Sequence, residues 1–503
     1  MMRLATSPVL IALIGLACAI LLGVPGRTIT SAFTNDVLIF LDGAHRIHLG
    51  QVPNRDFHTA LGPLVYLIPA AGYQITGSLG AALPAGMALV ILLFTLLAMH
   101  VLGSRLRPVL AVPFGAFLIL LLAVPMNLGD RIDALSFAMF YNRIGWAALG
   151  LLLIMYLPPL TARPWQETQD VLCASALTLV QLYTKVTYGM VALAFLIFLV
   201  IAPGQRRRAA LSLLSVIAIA AVVEFFWRGT ASHFGDLLET ARISGGRGLE
   251  GLMGPLFRNF ADLTVFALLA GIALRQQGSA WDALFYAACA VAGLLIVTQN
   301  AHNWGIVTIY AGSVVAAHRI MSGAGSLASA IPLPMLAFIL PPTLYHAGAL
   351  ILHGTLATAN AGAPLGLPNF QDLRYTSLWS SGNQGFPGRY VDSLKSGGSA
   401  LASLGQDIGP VATLDFVNPF SAGLGLTPPR GDNSWLHWNR NVSSKHHLPP
   451  EQLYGEVEII MEPKIGINSV QLRGIYGSYI DKHFIPVRET DEWIIHMRRK
   501  PEE

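Results

Sequence analysis

Residues 186–227 decide the class of the fold, and they read VTYGMVALAFLIFLVIAPGQRRRAALSLLSVIAIAAVVEFFW. Two apolar stretches, 186–203 and 209–227, stand on either side of a short turn with three consecutive arginines, 206–208. A membrane-spanning helix needs about 20 mostly apolar residues. Short loops rich in Lys and Arg remain on the cytoplasmic side. The stretch therefore predicts two spans joined by a cytoplasmic turn.

The composition of the whole chain agrees with a membrane protein. Of its 503 residues, 53% are hydrophobic and only 12% are charged, and the mean hydropathy is +0.55. Soluble domains carry about 25% charged residues. The formal net charge of +4 is modest, and no basic cluster with interleaved aromatic residues is present. The lipid bilayer is therefore an expected partner and nucleic acid is not.

Eleven stretches are apolar enough to be predicted as transmembrane helices. They are 8–25, 80–102, 108–126, 143–160, 169–184, 186–203, 209–227, 259–274, 281–298, 304–320 and 330–353. The first is predicted to be an uncleaved span, because Gly23-Val24-Pro25 is a poor site for a signal peptidase. The apolar stretch 61–78 is interrupted by glycines and prolines, which favours a re-entrant or interfacial segment.

Arginines in the short turns predict the orientation of the chain. These turns contain Arg3, Arg105, Arg107, Arg163, Arg206, Arg207, Arg208, Arg275 and Arg319. If they face the cytoplasm, the N-terminus is cytoplasmic, and an odd number of spans puts the C-terminal tail outside. The prediction is a multi-pass protein of the inner (plasma) membrane.

The composition changes near residue 356, where long apolar runs stop and charged and turn residues increase. Strand-like stretches follow at 411–416, 457–461 and 493–497, with a possible helix before the first. We expect a transmembrane domain over 1–355 and a small extracytoplasmic α/β domain over 356–503.

The first outer loop, 26–79, begins with a stretch of helical periodicity. Asp36 would lie at the N-terminal end of this helix, where the helix dipole favours an ionised carboxylate that can accept a proton. One face carries Val37, Phe40, Leu41, Ala44 and His48. Such a helix is expected to lie flat in the membrane interface with its apolar stripe in lipid. Asp42 is expected to be solvated, and His45 and His48 to be interfacial.

Two motifs, G-x-x-P-x-x-D-F and G-P-L-x-Y, follow this helix. With the preceding acid, the matching residues are Asp36, Gly50, Pro53, Asp56, Phe57, Gly62, Pro63, Leu64 and Tyr66. The arrangement resembles the first loop of GT-C glycosyltransferases, which include protein O-mannosyltransferases and aminoarabinose transferases. The resemblance covers about the first 110 residues, and the other spans only in general layout.

The resemblance implies an inverting glycosyltransferase with a polyprenyl-phosphate sugar as donor. The acceptor would be an envelope glycan, lipid or protein on the periplasmic face, and the sugar could be a hexose or a pentose. Asp36 matches the catalytic acid of the family, although Asn35 stands where many members have a second acid. Asp56 is the second catalytic candidate.

The leaving group of such a reaction is a lipid phosphate, which requires positive or polar side chains at the outer ends of the spans. The predicted substrate-binding residues are Arg55, His58, Tyr66, Asn142, Arg143, Lys185, Arg247 and His302. No set of metal ligands is evident, so no cofactor is predicted, and a divalent cation is left open.

Each assignment has a structural alternative. Asp36 could cap its helix, Asp56 could serve a turn, and Arg143 and Lys185 could reach towards lipid headgroups. Trp435, His437 and Trp438 could stack on a sugar or belong to a packed core. A transporter or flippase and a non-catalytic envelope assembly protein are the alternative functions. Transporters usually place ionisable residues near the bilayer midplane, whereas the charges here gather at the outer ends.

Overall fold

The computed structural model describes residues 2–161, 163–245, 250–299, 305–323, 327–379, 385–405 and 408–500. The helices that precede residue 360 are α1 Met2–Gly23, α2 Thr34–His48, α3 Leu64–Thr76, α4 Leu79–Arg105, α5 Pro108–Ala123, α6 Phe140–Ile154, α7 Gln166–Thr184, α8 Val186–Ile201, α9 Arg206–Trp227, α10 Thr230–Ser244, α11 Glu250–Arg258, α12 Phe260–Gln277, α13 Ala280–Thr298, α14 Val307–Ser322, α15 Leu327–Ala330 and α16 Pro332–Thr358.

Each of the eleven predicted spans falls on one of these helices. Among the described residues, five helices are long and apolar enough to cross a membrane, and α11 with α12, bent by 72°, would make a sixth. The helices α3, α5, α6 and α8 are apolar but shorter. The chain is thus mostly helical with several apolar helices, and the count of eleven spans stays a prediction.

The segment 61–78, predicted as re-entrant or interfacial, contains the 13-residue helix α3. A Cβ atom on Gly72 would lie 1.9 Å from the carbonyl oxygen of Ala82, and one on Gly86 would lie 2.3 Å from that of Ile68. Glycine is therefore needed at both positions, because the backbones of α3 and α4 are in direct contact.

The helix predicted after the first span is present as α2, but its environment differs from the prediction. Val37, Phe40 and Leu41 are buried within the protein and not in lipid. Asp42 is buried and pairs with Arg46 at 2.6 Å, so the expectation that it is solvated is wrong. His45 is also buried, with Nε2 2.9 Å from the carbonyl oxygen of Leu426. Most of α2 is buried because α3, α6 and the C-terminal part of the chain all pack against it.

A small sheet joins the first outer loop to the tail. Its strands are β1 Thr28–Thr30, β2 Ala363–Pro364 and β3 Leu373–Tyr375. β3 lies in the middle, parallel to β1 and antiparallel to β2. The sequence does not predict this sheet, because three residues are too few for a recognisable alternation.

A second sheet of four strands lies within the tail, in the order β4-β5-β7-β6. The strands are β4 Val411–Thr413, β5 Ile459–Pro463, β6 Phe484–Glu489 and β7 Trp493–Arg498, and the helices are α17 Gly385–Ala402, α18 Phe420–Leu424, α19 Pro450–Tyr454 and α20 Ser469–His483. The three predicted strands correspond to β4, β5 and β7. β6 was not predicted, because most of its side chains are exposed and give no apolar alternation.

An ionic cluster near the start of α7 connects three helices. Asp170 pairs with Arg105 of α4 and Arg208 of α9, each at 2.8 Å, and with His100 at 2.9 Å. Asp170 and Arg105 are buried. The carboxylate thus pairs with two of the predicted cytoplasmic arginines, Arg105 and Arg208, and connects the ends of their helices.

Candidate active site

Asp36 lies in the first turn of α2 and is half-buried. The N-cap residue of α2 is Phe33, with φ 53°, and its side chain makes no capping hydrogen bond. Asp36 is therefore not the N-cap residue but the third residue of the helix. Its carboxylate is near the positive end of the helix dipole, which favours the ionised form.

Aromatic contacts orient α2 against the start of α6. Phe40 follows Asp36 by one helical turn, and its ring centroid lies 5.0 Å from that of Phe140 and 6.2 Å from that of Tyr141. Residues four apart share one face of a helix. Asp36 accordingly interacts electrostatically with Tyr141.

Lys185 forms the turn between α7 and α8 and approaches the same side of α6. Its Nζ donates a hydrogen bond to Asn142 Oδ1 at 3.1 Å and lies 5.7 Å from the ring centroid of Tyr141. The loop motif supports this turn, since the Gly62 N–H donates to the Thr184 carbonyl oxygen at 3.1 Å. A Cβ atom at Gly62 would lie 2.1 Å from the Tyr183 carbonyl oxygen, so only glycine fits there.

Arg440 brings a second positive charge to this neighbourhood from the tail. Its Cζ lies 5.7 Å from the ring centroid of Trp435, and its charge acts on both Tyr141 and Lys185. Burial, the larger cause, and the charge of Arg440 together lower the pKa of Lys185 to about 7. Two cations and one carboxylate, from three separate parts of the chain, therefore converge on Tyr141.

Arg440 was not predicted as a site residue from the sequence. The one sequence feature near it was the aromatic cluster of Trp435, His437 and Trp438, which could stack on a sugar or belong to a packed core. Trp435 is buried, its ring faces Arg440, and Phe416 and His437 meet it edge-on at 5.8 and 5.9 Å. The packed-core interpretation therefore holds for Trp435.

The second catalytic candidate, Asp56, serves a turn. Its Oδ2 accepts the Val52 N–H at 2.7 Å, and its Oδ1 pairs with Arg430 at 3.2 Å. The adjacent Arg55 donates to the Trp227 carbonyl oxygen at 3.5 Å. These contacts tie the loop to the tail and to the end of α9.

Three predicted substrate-binding residues are engaged in contacts within the protein. His58 pairs through Nδ1 with Asp236 at 2.8 Å, which raises its pKa. The buried Tyr66 hydroxyl lies 2.7 Å from Thr59 Oγ1 and 2.9 Å from Ser434 Oγ, so it offers no surface to a substrate. Arg143 is also buried and donates to the Met126 carbonyl oxygen at 2.9 Å, so it does not reach the lipid headgroups.

Arg247 and His302 lie outside the described residues. Within the described ranges, no group of three or more His, Cys, Asp or Glu side chains could hold a metal ion. Among these described residues, the surroundings of Asp36 therefore offer no complete set of metal ligands.

No family model matches the chain, and no curated protein matches it. Two solved structures are similar. One is an oligosaccharyltransferase of Archaeoglobus fulgidus, with 13% identity and a TM-score of 0.40, covering 90% of this chain and 68% of that one. The other is the mycobacterial arabinofuranosyltransferase AftD, with 13% identity and a TM-score of 0.43, covering 99% of this chain and 40% of that one.

Both structures are glycosyltransferases by name, the class that the first loop resembles. The chain spans well under half of the length of the mycobacterial protein. Both TM-scores lie below 0.5, so these similarities do not assign a function to this chain.

Proposed function

We propose that this protein transfers a sugar from a polyprenyl-phosphate donor to a hydroxyl group of an envelope acceptor, with inversion at the anomeric carbon. The convergence of Asp36, Lys185 and Arg440 on Tyr141 carries the proposal. A carboxylate and two cations that all act on Tyr141 would provide one group that accepts a proton and two that stabilise a departing phosphate.

In this mechanism Asp36 is the general base. It accepts the proton of the acceptor hydroxyl while that oxygen forms a bond to the anomeric carbon. The bond between the anomeric carbon and the phosphate oxygen breaks, and its electron pair leaves with the polyprenyl phosphate. Proton transfer of this kind contributes about 10²–10⁴-fold to the rate of an enzyme.

Lys185 and Arg440 bind the phosphate in this mechanism. Two positive charges near each other disfavour one another, and the charge of Arg440 is, after burial, the second cause of the lowered pKa of Lys185. A phosphate between them would relieve that repulsion, and charged hydrogen bonds to phosphate are about twice as strong as neutral ones. We therefore expect these residues to contribute to donor binding and to stabilise the leaving group.

We infer that this chemistry occurs on the periplasmic face of the inner membrane. The basic turns support a cytoplasmic N-terminus and an extracytoplasmic tail. Lys185 follows the C-terminal end of α7, whereas Arg105 and Arg208 surround the start of that helix. The site and the basic cluster are thus at opposite ends of α7.

The decisive experiment measures sugar transfer by the purified protein in lipid nanodiscs. Radiolabelled polyprenyl-phosphate hexoses and pentoses are incubated with extracted envelope acceptors, using wild type, Asp36→Asn and the matched loop variant Asp56→Asn. We expect wild type and Asp56→Asn to label an acceptor and Asp36→Asn to lose at least about 100-fold in rate.

The other outcomes are equally informative. Loss of activity in Asp56→Asn alone would move the base to Asp56. If folded wild-type protein consumes none of the donors, the glycosyltransferase proposal fails. Movement of a labelled lipid or solute across the membrane of proteoliposomes would then support the transporter alternative. If nothing moves, a non-catalytic role in envelope assembly is the remaining alternative.

A further inference from the structure

A segment of the tail, residues 426–434 (the docking segment), lies along α2 and the loop that follows it. Backbone and side-chain hydrogen bonds connect the two. They join Gly431 N–H to Asp56 O (2.7 Å), His58 N–H to Asp432 O (2.7 Å), Gln51 Nε2 to Pro428 O (2.9 Å) and Ser434 N–H to His58 O (3.1 Å). The docking segment and the first loop are therefore packed together as one structural unit.

Arg46 is the centre of this contact. Its Nη1 and Nη2 donate to the two carboxylate oxygens of Asp432, each at 2.8 Å, and its Nε donates to Asp42 at 2.6 Å. Nη1 also donates to the Pro429 carbonyl oxygen at 2.9 Å. Because guanidinium is planar, a two-pronged contact of this kind sets the orientation of Asp432 as well as its distance.

The chain between Asp432 and Arg440 is short and held in place. The Ser434 hydroxyl lies 2.9 Å from the Tyr66 hydroxyl, and Trp435 is buried. Asn441 Nδ2 donates to the Trp435 carbonyl oxygen at 2.8 Å, which closes the turn that carries Arg440. A change in the position of Asp432 would therefore be transmitted to Arg440.

We propose that Arg46 is a positioning residue that holds Arg440 near Tyr141 and Lys185 through its contact with Asp432. The tail is then part of the active site, since one of the two phosphate-binding cations comes from it. Arg46 is on α2, ten residues after Asp36, so the same helix holds the base and the anchor of the cation. The inference rests on the proposed role of Arg440 in donor binding.

A double-mutant cycle tests this inference, with donor KM and kcat measured for Arg46→Met, Arg440→Gln and the double variant. Loss of one charged hydrogen bond to the donor corresponds to about 10–100-fold in KM. We expect both single variants to raise the donor KM by that factor, and the double variant to raise it no further than Arg440→Gln. Arg46→Lys, which keeps the positive charge but not the two-pronged guanidinium contact, should give a donor KM between those of wild type and Arg46→Met.

Arg430→Met is the matched control. Arg430 belongs to the same docking segment and pairs with Asp56, but its side chain is exposed. We expect its donor KM to equal that of wild type. Additive increases in the double variant, or an unchanged KM in Arg46→Met, would overturn the positioning role.

Arg46→Met leaves two buried carboxylates without their partner and could prevent folding. Trp435→Phe, between the anchor and Arg440, then replaces it in the same cycle with the same expectation of non-additive effects. If wild type transfers no sugar, the proposed function has failed. If wild type transfers sugar and the cycle is additive, only the role of Arg46 has failed.

Discussion

The two ends of α7 carry charged groups in contrasting arrangements. At its start, Asp170 receives Arg105, Arg208 and His100 within 2.9 Å, so cations meet a carboxylate directly. At its end, Lys185 donates to the neutral amide of Asn142 and faces the like charge of Arg440. Because a helix rises about 1.5 Å per residue, about 22 Å separate Asp170 from Lys185.

The contrast suggests that the charges at the start of α7 stabilise the fold, whereas those at its end bind a substrate. Removing one partner of a buried ion pair costs stability, because the remaining charge stays buried. A half-buried cation near a second cation is disfavoured by that charge, and groups perturbed in this way tend to occur at functional sites. We therefore expect substitutions at the Asp170 end to affect folding and those at the Lys185 end to affect substrate binding.

Asp170→Asn should have the largest effect. It leaves the buried guanidinium of Arg105 without its counter-ion, which costs about 3–5 kcal/mol of unfolding free energy. Thermal unfolding in nanodiscs or detergent measures this as a lower Tm, with donor KM unchanged in the folded fraction.

Glu167→Gln is the control for this end. Glu167 pairs with Arg207 at 3.2 Å, but both side chains are exposed, so we expect a loss of only about 0–1 kcal/mol. Equal effects of the two substitutions would contradict the structural role of the Asp170 cluster.

Lys185→Met should lower kcat/KM for the donor by about 10–100-fold, which corresponds to about 1.4–2.8 kcal/mol. The Tm should fall by far less than in Asp170→Asn, since Lys185 is only half-buried and the charge of Arg440 already disfavours its charged form. Steady-state kinetics with labelled donor provides the measurement. Arg131→Met, whose exposed side chain pairs with the buried Asp133 in the second outer loop, should leave kcat/KM unchanged, and a large fall in Tm for Lys185→Met would count against the contrast.

Donor affinity should depend on pH through Lys185. Its pKa is lowered to about 7 in the unliganded protein, so the ammonium that binds phosphate is present below that pH and is lost above it. We expect donor KM to rise as pH increases through about 7. Arg440→Gln removes one cause of the lowered pKa of Lys185, so the rise in donor KM should occur at a higher pH in that variant. A KM that does not change with pH would show that Lys185 does not bind the donor.

The smallest effect is expected at His58, which joins the first loop to α10. Its hydrogen bond to Asp236 raises the pKa of His58 above 6.5. The bond therefore stabilises the folded state fully below pH 6.5, and this contribution of about 1 kcal/mol is lost as pH rises through the raised pKa. Tm measured against pH should show this decline in wild type, and both His58→Gln and Asp236→Asn should abolish it. A decline that persists in both variants would assign it to another group.

The sequence by itself determined the features that depend on neighbouring residues. Hydropathy over about 20 residues located the apolar helices, and the position of Asp36 after the first span suggested it as the candidate base. Lys185 was noticed because a charged residue between two apolar stretches is expected at a helix end. The helices could be located because hydropathy is a local property of the sequence, whereas the roles of Asp36 and Lys185 stay predictions.

Only the tertiary structure decided what surrounds these residues. The apolar stripe of α2 looks the same in sequence whether lipid or protein covers it, so the prediction of a lipid-facing helix was wrong. Arg46 and Asp432 are 386 residues apart in the chain, and Arg440 lies eight residues beyond Asp432. Hydrophobic periodicity cannot predict contacts between residues this far apart in the sequence, because only folding brings their charges together.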